Sequence, residues 1–257
     1  MLKSLDLTGK VAVVIGGTSG IGKTMSIGLA EAGADVVPCS RRLDAAEPVA
    51  LEIEKHGRRT LRLAADVADR QSLIAARDQI LDKFGHIDIL INSAGRIKRT
   101  PVLDLPDEEW SAIIDTNLTG TLRACQVFAP PMLAQGWGRI VNLASLNSFV
   151  ALFEVAAYAA SKAGVAGLTR SLAIEWGARG VNVNAIAPGV FRTALNRQLL
   201  DGTERGRELK MRTPLKRFGN VEELAGAAVF LSSDAASFVN GEILVVDGGF
   251  LASGVNQ

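Results

Sequence analysis

The sequence has few of the residues that build disulfide frameworks, metal sites or aromatic surfaces. It contains two cysteines and two histidines among 257 residues, and aromatic residues make up 5%. Cys39 and Cys125 alone are typical of a reducing compartment and argue against a disulfide framework. His56 and His86 lie in no cluster of cysteines or carboxylates, so we predict that the protein has no metal site.

Long apolar runs and a large net charge are also missing. The apolar runs are far shorter than the ~20 residues that a membrane-spanning helix needs, and residues 1–6 contain no apolar signal core. The net charge of +1 gives no reason to expect nucleic acid as a partner. We therefore expect a soluble, cytoplasmic protein that binds a small-molecule substrate and does not associate with a membrane.

Strand and helix patterns alternate along the chain. Strands are predicted at 11–15, 35–39, 60–65, 87–91, 139–144, 181–187 and 242–246. Helices are predicted at 20–32, 43–56, 69–84, 107–135, 155–176 and 221–232, with a bend near Pro130 and Pro131. Such alternation is typical of an α/β protein with helices on both faces of a parallel sheet. We predict one domain over residues 1–257, with a doubly wound, seven-stranded parallel sheet.

A glycine-rich turn joins the first predicted strand to the first predicted helix. Glycines let the backbone approach a phosphate closely, and a helix N-terminus offers free N–H groups and a positive dipole end. Many glycine-rich turns bind nothing, but this position in the chain favours a dinucleotide site. The predicted cofactor-binding residues of the turn are Gly16, Thr18, Ser19, Gly20, Ile21 and Gly22.

The residues after the second predicted strand bear on the choice of nucleotide. A carboxylate here would bind the ribose hydroxyls of NAD, but the sequence is Cys39-Ser40-Arg41-Arg42. Two guanidinium groups and a hydroxyl suit a 2′-phosphate. We therefore predict NADP as the cofactor, with NAD as the alternative. A solvated basic turn without a ligand is the other interpretation.

The only tyrosine of the chain is placed to act as an acid and base. Tyr158 and Lys162 are four residues apart on a predicted helix and therefore share a face. A nearby ammonium, together with a positively charged nicotinamide, favours phenolate, so we expect a lowered Tyr158 pKa. Ser145 follows the fifth predicted strand and is expected at the same edge of the sheet. A Tyr-x-x-x-Lys pair alone is more often a surface helix, and the convergence with Ser145 and the glycine turn argues against that interpretation.

Further short segments complete a set of motifs. They are Asp66-Val67, Asn92-Ser93-Ala94-Gly95, Asn117, Tyr158-Ala159-Ala160-Ser161-Lys162, Pro188-Gly189 and Val246-Asp247-Gly248-Gly249. This set covers about residues 6–250 and resembles the short-chain dehydrogenase/reductase family. The chain departs from the family at Ile15, where threonine is frequent, and at Ser93, where a second asparagine is usual. The resemblance implies an NAD(P)-binding Rossmann fold and hydride transfer between a nicotinamide and a carbonyl or secondary alcohol.

The resemblance also implies roles for individual residues. The implied catalytic residues are Asn117, Ser145, Tyr158 and Lys162, with Asn117 holding a water that passes protons to solvent. Tyr158 would protonate the carbonyl oxygen, Ser145 would stabilise its charge, and Lys162 would bind the nicotinamide ribose. Further implied cofactor contacts are Asp66, Val67, Asn92, Ala94, Gly95, Pro188, Gly189 and Thr193.

The segment 189–219 is predicted to be a lid over the substrate. It is rich in Lys and Arg, and Arg96, Lys98 and Arg99 follow the fourth strand, so a basic rim is expected to attract an anionic substrate. An equally weighted alternative is that these charges are only solvated. The expected pocket residues are Leu146, Asn147, Phe149, Phe153, Glu154 and Phe191.

Within the family, the sequence is similar to sugar-acid dehydrogenases of the gluconate 5-dehydrogenase kind, which suggests a sugar acid or polyol as substrate. The alternative is a 3-oxoacyl-acyl-carrier-protein reductase, for which Arg123 and Arg139 are candidate carrier-protein contacts. A more distant alternative is a non-catalytic nucleotide-binding regulator, against which the Ser145, Tyr158 and Lys162 set argues. By analogy with the family we expect a homotetramer, because the helix 155–176 is rich in small residues.

Overall fold

Seven parallel strands form the central sheet in the computed structural model, which describes residues 2–193 and 196–254. The strands are β1 (Val11–Ile15), β2 (Asp35–Ser40), β3 (Leu63–Ala64), β4 (Ile89–Asn92), β5 (Gly138–Leu143), β6 (Val181–Pro188) and β7 (Ile243–Val246). Their order across the sheet is β3-β2-β1-β4-β5-β6-β7. The direction in which the chain adds strands therefore reverses between β1 and β4, where doubly wound folds bind their ligands.

The described helices cover both faces of this sheet. They are α1 (Gly20–Glu31), α2 (Glu47–Lys55), α3 (Arg70–Phe84), α4 (Asp107–Ile114), α5 (Gly120–Gln135), α6 (Ala156–Gly177), α7 (Arg197–Leu200), α8 (Glu204–Arg212) and α9 (Ala225–Ser232). The predicted fold, a single-domain doubly wound α/β protein with a seven-stranded parallel sheet, is confirmed.

Strand β1 lies inside the sheet, between β2 and β4, and all of its side chains are apolar and buried. Val11, Val13 and Ile15 pack with residues of α3, α5 and α6 on one face. Ala12 and Val14 pack with residues of α1, α2 and α9 on the other face. Removing a side chain of this size from water contributes about 1.5–3 kcal/mol, so the unbroken apolar run specifies a strand that is buried on both sides.

The predicted helix over 107–135 is helical throughout, but it is not one uninterrupted α-helix. A π-helical turn, Asp115–Thr119, separates α4 from α5, whereas Pro130 and Pro131 lie inside α5. The Thr121 hydroxyl donates to the Asn117 carbonyl oxygen at 2.7 Å in this region. π-Helical turns are rare and frequently occur at functional sites. The interruption therefore lies at Asn117, one of the predicted catalytic residues.

Other bounds also differ from the predictions, including those of the predicted helix 43–56, which the structure has as α2 from Glu47 to Lys55. The predicted strand 60–65 is reduced to β3, because this edge strand pairs only through Leu63 and Ala64 with β2. The predicted helix 221–232 begins with a 3₁₀ turn, Val221–Leu224, before α9. The polar stretch 189–219 contains the short helices α7 and α8, which its weak apolar pattern did not indicate.

Three properties of the described residues bear on compartment and metal binding. No described helix has both the length and the apolar character needed to cross a bilayer. Within residues 2–193 and 196–254, no three His, Cys, Asp or Glu side chains lie together as possible metal ligands. The predicted absence of a metal site stays a prediction. Burial raises the pKa of both the Cys39 and the Cys125 thiols to about 12, and both are free.

Candidate active site

The glycine turn between β1 and α1 fits closely against the end of β4. Gly16 has a φ of +81°, and a Cβ at this position would lie 2.5 Å from the Ala94 nitrogen. A Cβ on Gly22 would collide with the Gly16 carbonyl oxygen. The backbone here tolerates only glycine. Glycine at these positions lets the turn pack tightly against the loop after β4, and Ser19 and Gly20 are exposed at its outer end.

The start of α1 is open to a ligand. Its N-cap residue, Ser19, makes no side-chain hydrogen bond to the helix in the described structure. Ser26 instead fastens the turn from inside, since its hydroxyl donates to the Gly22 and Gly17 carbonyl oxygens at 3.0 and 3.2 Å. The first N–H groups of a helix without a cap have a positive partial charge. The residues present therefore fit a dinucleotide pyrophosphate.

Three strand ends meet beside this turn. Ile15 of β1 is in register with Cys39 of β2 and with Asn92 of β4. The Asn92 amide nitrogen donates to the Asn142 oxygen at 2.9 Å and lies 3.3 Å from the Cys125 sulfur. The side chain of Asn92 thus points into the core. A contact of Asn92 with a cofactor, as the sequence predicts, would have to use its backbone.

The basic residues after β2 are exposed. The Ser40 hydroxyl donates to the Arg42 carbonyl oxygen at 3.0 Å, which shapes the turn. Arg41 and Arg42 are both exposed, and neither forms an ion pair with another described residue. Two free guanidinium groups therefore stand at the outer end of β2, next to the strand that begins the glycine turn.

Asp66 and Val67 shape the loop that follows β3. The Asp66 carboxylate accepts from the Ala68 N–H at 2.9 Å. Val67 is buried, and a Cβ on Gly120 would lie 2.8 Å from it. This contact fastens the loop to the start of α5. The predicted adenine contact by Asp66 and Val67 stays a prediction.

Ser145 and Tyr158 lie near each other, since the Ser145 side chain affects the pKa of the Tyr158 phenol. Ser145 lies two residues beyond β5, where its Oγ also accepts from the Asn147 N–H at 3.2 Å. Tyr158 lies in the first turn of α6. Burial raises the pKa of the Tyr158 phenol, and the nearby Ser145 side chain partly opposes that rise. In the chain without cofactor the Tyr158 pKa is raised, and the lowering expected beside a positively charged nicotinamide stays a prediction.

Lys162 lies one turn further along α6 and is 4% exposed. Its Nζ donates to the Leu143 carbonyl oxygen at 2.6 Å and lies 5.6 Å from the centre of the Tyr158 ring. Burial lowers the pKa of the Lys162 ammonium to about 8. The ammonium is therefore held at the end of β5, near the phenol but not bonded to its oxygen.

Asn117 joins the β4 loop to α6. Its Oδ1 accepts from the Arg96 N–H at 2.7 Å, and its Nδ2 donates to the Arg96 carbonyl oxygen and the Ser161 hydroxyl, each at 2.9 Å. A Cβ on Gly95 would lie 3.7 Å from the Asn117 Oδ1 and 3.9 Å from the Lys162 Nζ. Asn117, Ser145, Tyr158 and Lys162 are therefore brought together. That Asn117 holds a water stays a prediction.

Two serines that position α6 were missed from the sequence. The Ser161 hydroxyl donates to the Tyr158 carbonyl oxygen and accepts from Asn117. The Ser148 hydroxyl donates to the Lys162 carbonyl oxygen at 2.7 Å. Ser161 precedes Lys162 in the motif and had a local signal. Ser148 had none, because only the tertiary contact identifies it.

The end of β6 approaches the closing strand. The Gly189 N–H donates to the Val246 carbonyl oxygen at 2.8 Å, and a Cβ on Gly189 would lie 2.6 Å from the Asp247 Cα. Pro188 is the last residue of β6. The Thr193 N–H donates to the Asn196 Oδ1 at 2.8 Å. Pro188 and Gly189 therefore lie at the same edge of the sheet as the glycine turn.

The predicted pocket residues do not all face a pocket. Phe191 is buried in the core and packs against Gly219, so it is unsuited to contact substrate. Leu146 and Asn147 are buried beside Ser145, and Phe149 is exposed. Phe153 is 72% exposed and lines a cleft. That cleft, of about 520 Å³, lies between α8, the segment 150–153 and residues 250–254.

Most of the predicted basic rim is paired with carboxylates. Ion pairs at 2.5–3.4 Å are Arg96–Glu109, Lys98–Glu109, Arg99–Glu154, Arg192–Asp201, Arg212–Glu208 and Arg217–Glu223. The pKa of Glu109 is accordingly lowered, chiefly by Arg96. The rim is therefore far less positive than its sequence suggests.

The fold and this site define a nicotinamide-dependent oxidoreductase of the Ser-Tyr-Lys type. Residues 15–251 match the family model described as enoyl-(acyl carrier protein) reductase. The chain is 44% identical over 244 residues to the D-threitol dehydrogenase of Mycolicibacterium smegmatis, which covers 95% of this chain and 94% of that protein. The chain belongs to the short-chain dehydrogenase/reductase family, and it is an enzyme that acts on alcohol groups. The predicted family is confirmed.

Two further relatives are named for sugar-acid chemistry. The 2-dehydro-3-deoxy-D-gluconate 5-dehydrogenase of Escherichia coli is 40% identical over 255 residues, which are 98% of this chain and 99% of that one. A crystal structure of a gluconate 5-dehydrogenase from Burkholderia cenocepacia, in complex with NADP and tartrate, superposes with a TM-score of 0.94. The two sequences are 39% identical, and the match covers 98% of this chain and 99% of the Burkholderia chain. The chain is thus a dehydrogenase of the sugar-acid and polyol type that uses NAD(P).

Proposed function

We propose that this protein is an NADP(H)-dependent dehydrogenase of a sugar acid, of the gluconate 5-dehydrogenase kind. The convergence of Tyr158, Lys162 and Ser145 at the carboxyl end of β5 carries this proposal, because Lys162 lies 5.6 Å from the Tyr158 ring and is held by the Leu143 carbonyl oxygen, two residues before Ser145. The sugar-acid names of two relatives support the choice of substrate.

The proposed chemistry follows from the residues in place. When bound, the nicotinamide cofactor exchanges the hydride and, in its oxidised form, brings a positive ring near the phenol. The Ser145 hydroxyl donates to the substrate oxygen and stabilises the charge that develops there. Tyr158 takes up or delivers the proton of that oxygen. Lys162 holds the ribose side of the site from the end of β5, and Asn117 keeps the β4 loop against α6.

The proposed cofactor contacts follow the strand ends. The pyrophosphate lies on the turn formed by Gly16, Thr18, Ser19, Gly20, Ile21 and Gly22. Ser40, Arg41 and Arg42 bind the 2′-phosphate, Asp66 and Val67 the adenine, and Asn92, Ala94 and Gly95 the ribose side. Pro188, Gly189 and Thr193 contact the nicotinamide. The segment 189–219, with α7 and α8, acts as the lid.

The carrier-protein alternative lacks support from the residues expected to carry it. Arg139 is buried beside Trp137, so it cannot form an exposed basic patch. Arg123 is paired with Asp115 at 2.7 Å and also donates to the Val67 carbonyl oxygen. Neither guanidinium is therefore free to receive an acidic carrier protein.

Initial rates with 5-ketogluconate and with an acetoacetyl thioester test the proposed function. With NADPH as reductant, we expect turnover of the ketoacid and little of the thioester. The Tyr158→Phe variant is the matched control for chemistry at this site. Substantial turnover of the thioester alone would show that the protein is an acyl-chain reductase.

We also propose that the protein is a homotetramer. The exposed face of α6 includes a stripe of mostly small side chains, formed by Ala160, Ala163, Gly167, Ser171 and Ile174, with the charged Arg170 and Glu175 beside it. A Cβ on Gly167 would meet no atom within 4 Å, so this face is open. Small side chains at helical spacing allow close approach of a second helix, and closed symmetric assemblies are the commonest oligomers.

A further inference from the structure

One half-buried guanidinium in the cleft beside α8 lacks a carboxylate partner. Arg205 lines this cleft and forms no ion pair or hydrogen bond with another residue of 2–193 or 196–254. Arg212 lines the same cleft but is paired with Glu208 at 3.1 Å. Among the described residues that line the cleft, Arg205 is therefore the guanidinium that remains available to a ligand.

The surroundings of Arg205 have an excess of positive charge. Arg99 and Glu154 form an ion pair at 2.8 Å, and both act electrostatically on Arg205. Burial lowers the pKa of Arg205, Arg99 lowers it further, and Glu154 and Glu208 partly oppose them. Arg99, Arg205 and Arg212 therefore share the two carboxylates of Glu154 and Glu208 where solvent is partly excluded. An incoming anion would offset the cost of this arrangement.

The cleft adjoins the catalytic residues along the chain. Its wall, residues 150–153, follows the turn that contains Ser145, and the Asn147 amide donates to the Val150 carbonyl oxygen at 3.4 Å. The chain then passes through Glu154 into α6, which begins two residues before Tyr158. Glu154 has a φ of +64°, which a residue other than glycine rarely adopts. Such strain indicates that the surrounding contacts fix its position.

We propose that Arg205 binds the carboxylate of the substrate and so distinguishes sugar acids from neutral polyols. This inference rests on the proposed function and adds the residue that recognises the acid. A guanidinium makes two parallel hydrogen bonds to a carboxylate, which a hydroxymethyl group cannot match. Arg205, and not the basic rim as a whole, recognises the substrate carboxylate in this proposal, because the other charges of the rim are paired with carboxylates or exposed.

D-Gluconate and D-glucitol test the proposal, since gluconate has a carboxylate where glucitol has a hydroxymethyl group and the two are otherwise the same. Their dissociation constants are measured by calorimetry with NADPH present, where no hydride transfer to the cofactor is possible, and their KM values with NADP⁺. We expect Arg205→Gln to weaken gluconate binding by about tenfold or more and to leave glucitol binding unchanged. Arg205→Lys should restore part of the loss. Arg207→Gln, which removes an exposed charge from the same helix, is the matched control.

The outcomes separate this inference from the proposed function. If gluconate is oxidised but Arg205→Gln leaves its affinity unchanged, the role of Arg205 is wrong and the proposed function stands. Equal weakening of gluconate and glucitol, or an equal effect of Arg207→Gln, also overturns the role of Arg205. If the unaltered enzyme neither binds nor oxidises gluconate, both proposals fail.

Discussion

Lys162 and Tyr158 are adjacent titratable groups, and burial shifts both toward their uncharged forms. The Tyr158 phenol keeps its proton more firmly than a free phenol, and the Lys162 ammonium loses its proton more easily than a free amine. Lys162 keeps its contact with the Leu143 carbonyl oxygen, which stabilises the charged form only in part. The pair is therefore arranged so that the charge of a bound cofactor can move its protonation.

Replacing Tyr158 with phenylalanine should remove the proton transfer and little else. We expect kcat to fall by about 10²–10⁴-fold, the range for loss of a general acid or base, while NADPH still binds. Steady-state kinetics and a fluorescence titration of NADPH measure the two effects. Thermal unfolding of the variant controls for a folding defect, and retention of more than about a tenth of the activity would refute the role of Tyr158.

Replacing Lys162 with methionine should change how stability depends on pH. The folded-state pKa of Lys162 is about 8, against an ordinary value of 10.5. Between these values the unfolded chain binds more protons than the folded chain, so stability from this group rises with pH. The difference in unfolding free energy between Lys162→Met and the unaltered protein should therefore change by about 3 kcal/mol from pH 8 to 10.5.

Urea unfolding at several pH values, without cofactor, measures this difference. The unaltered protein should gain on the variant as the pH rises through this range, and below pH 8 the full cost of the buried charge should remain. A difference that does not vary with pH would show that Lys162 is not desolvated as the structure indicates. Lys83→Met, at the end of α3, serves as a control for lysine loss.

At the scale of elements, the carboxyl ends of the central strands determine what can bind. Three strands in register bring the glycine turn, the basic turn after β2 and the loop after β4 to one edge. The π-helical turn between α4 and α5 places Asn117 against the β4 loop and α6. The cofactor and catalytic halves of the site therefore come from different elements that share one sheet edge.

The two arginines after β2 are expected to determine the preference for NADPH over NADH. We expect Arg41→Ala and Arg42→Ala each to raise the KM for NADPH by about tenfold, the loss of one charge-assisted contact with a phosphate. The KM for NADH should change little, because that cofactor has no 2′-phosphate. Kinetics with both cofactors measure the ratio, and Arg58→Ala, beyond α2, is the control. An equal change for both cofactors would contradict a 2′-phosphate site.

At the scale of the whole molecule, one face of α6 remains exposed to solvent. The two layers of helices bury the faces of the sheet, whereas the stripe from Ala160 to Ile174 on α6 remains exposed. An exposed stripe of small side chains is poor at covering a core and suited to pairing with another helix. The proposed assembly therefore depends on the outer surface of α6 and not on the active site.

Replacing Gly167 with arginine should break the proposed tetramer. The new side chain has room in the single chain, because no atom lies within 4 Å of its Cβ, but it would obstruct a second helix. Light scattering after size exclusion should give 4 × 27.1 kDa, about 108 kDa, for the unaltered protein and half of that or less for the variant. Gly226→Arg on α9, which is equally open, should leave the mass unchanged. A monomeric unaltered protein would exclude the assembly.

Short-range patterns were sufficient for the fold and for the set of residues at the sheet edge. The apolar run of β1 specified a buried strand because no polar side chain interrupts it, and the spacing of Tyr158 and Lys162 specified a shared face. The break at Asn117 was not predictable, because α4 and α5 have continuous helical patterns. The contact of Ser148 with Lys162 was equally invisible, since those residues are distant in sequence.

The sequence by itself determined the order of strands and helices, the glycine turn and the family to which the chain belongs, because each depends on periodicity or on motifs of a few residues. Only the tertiary structure decided which charges remain free. In sequence, Arg205 is one of many basic residues of a polar segment. In the folded chain Arg192, Arg212 and Arg217 of that segment pair with carboxylates, and Arg99 pairs with Glu154 from a distant segment. Partial burial leaves Arg205 in the cleft without an ion pair among the described residues. Pairing and burial are properties of the folded chain, because they depend on which distant segments meet.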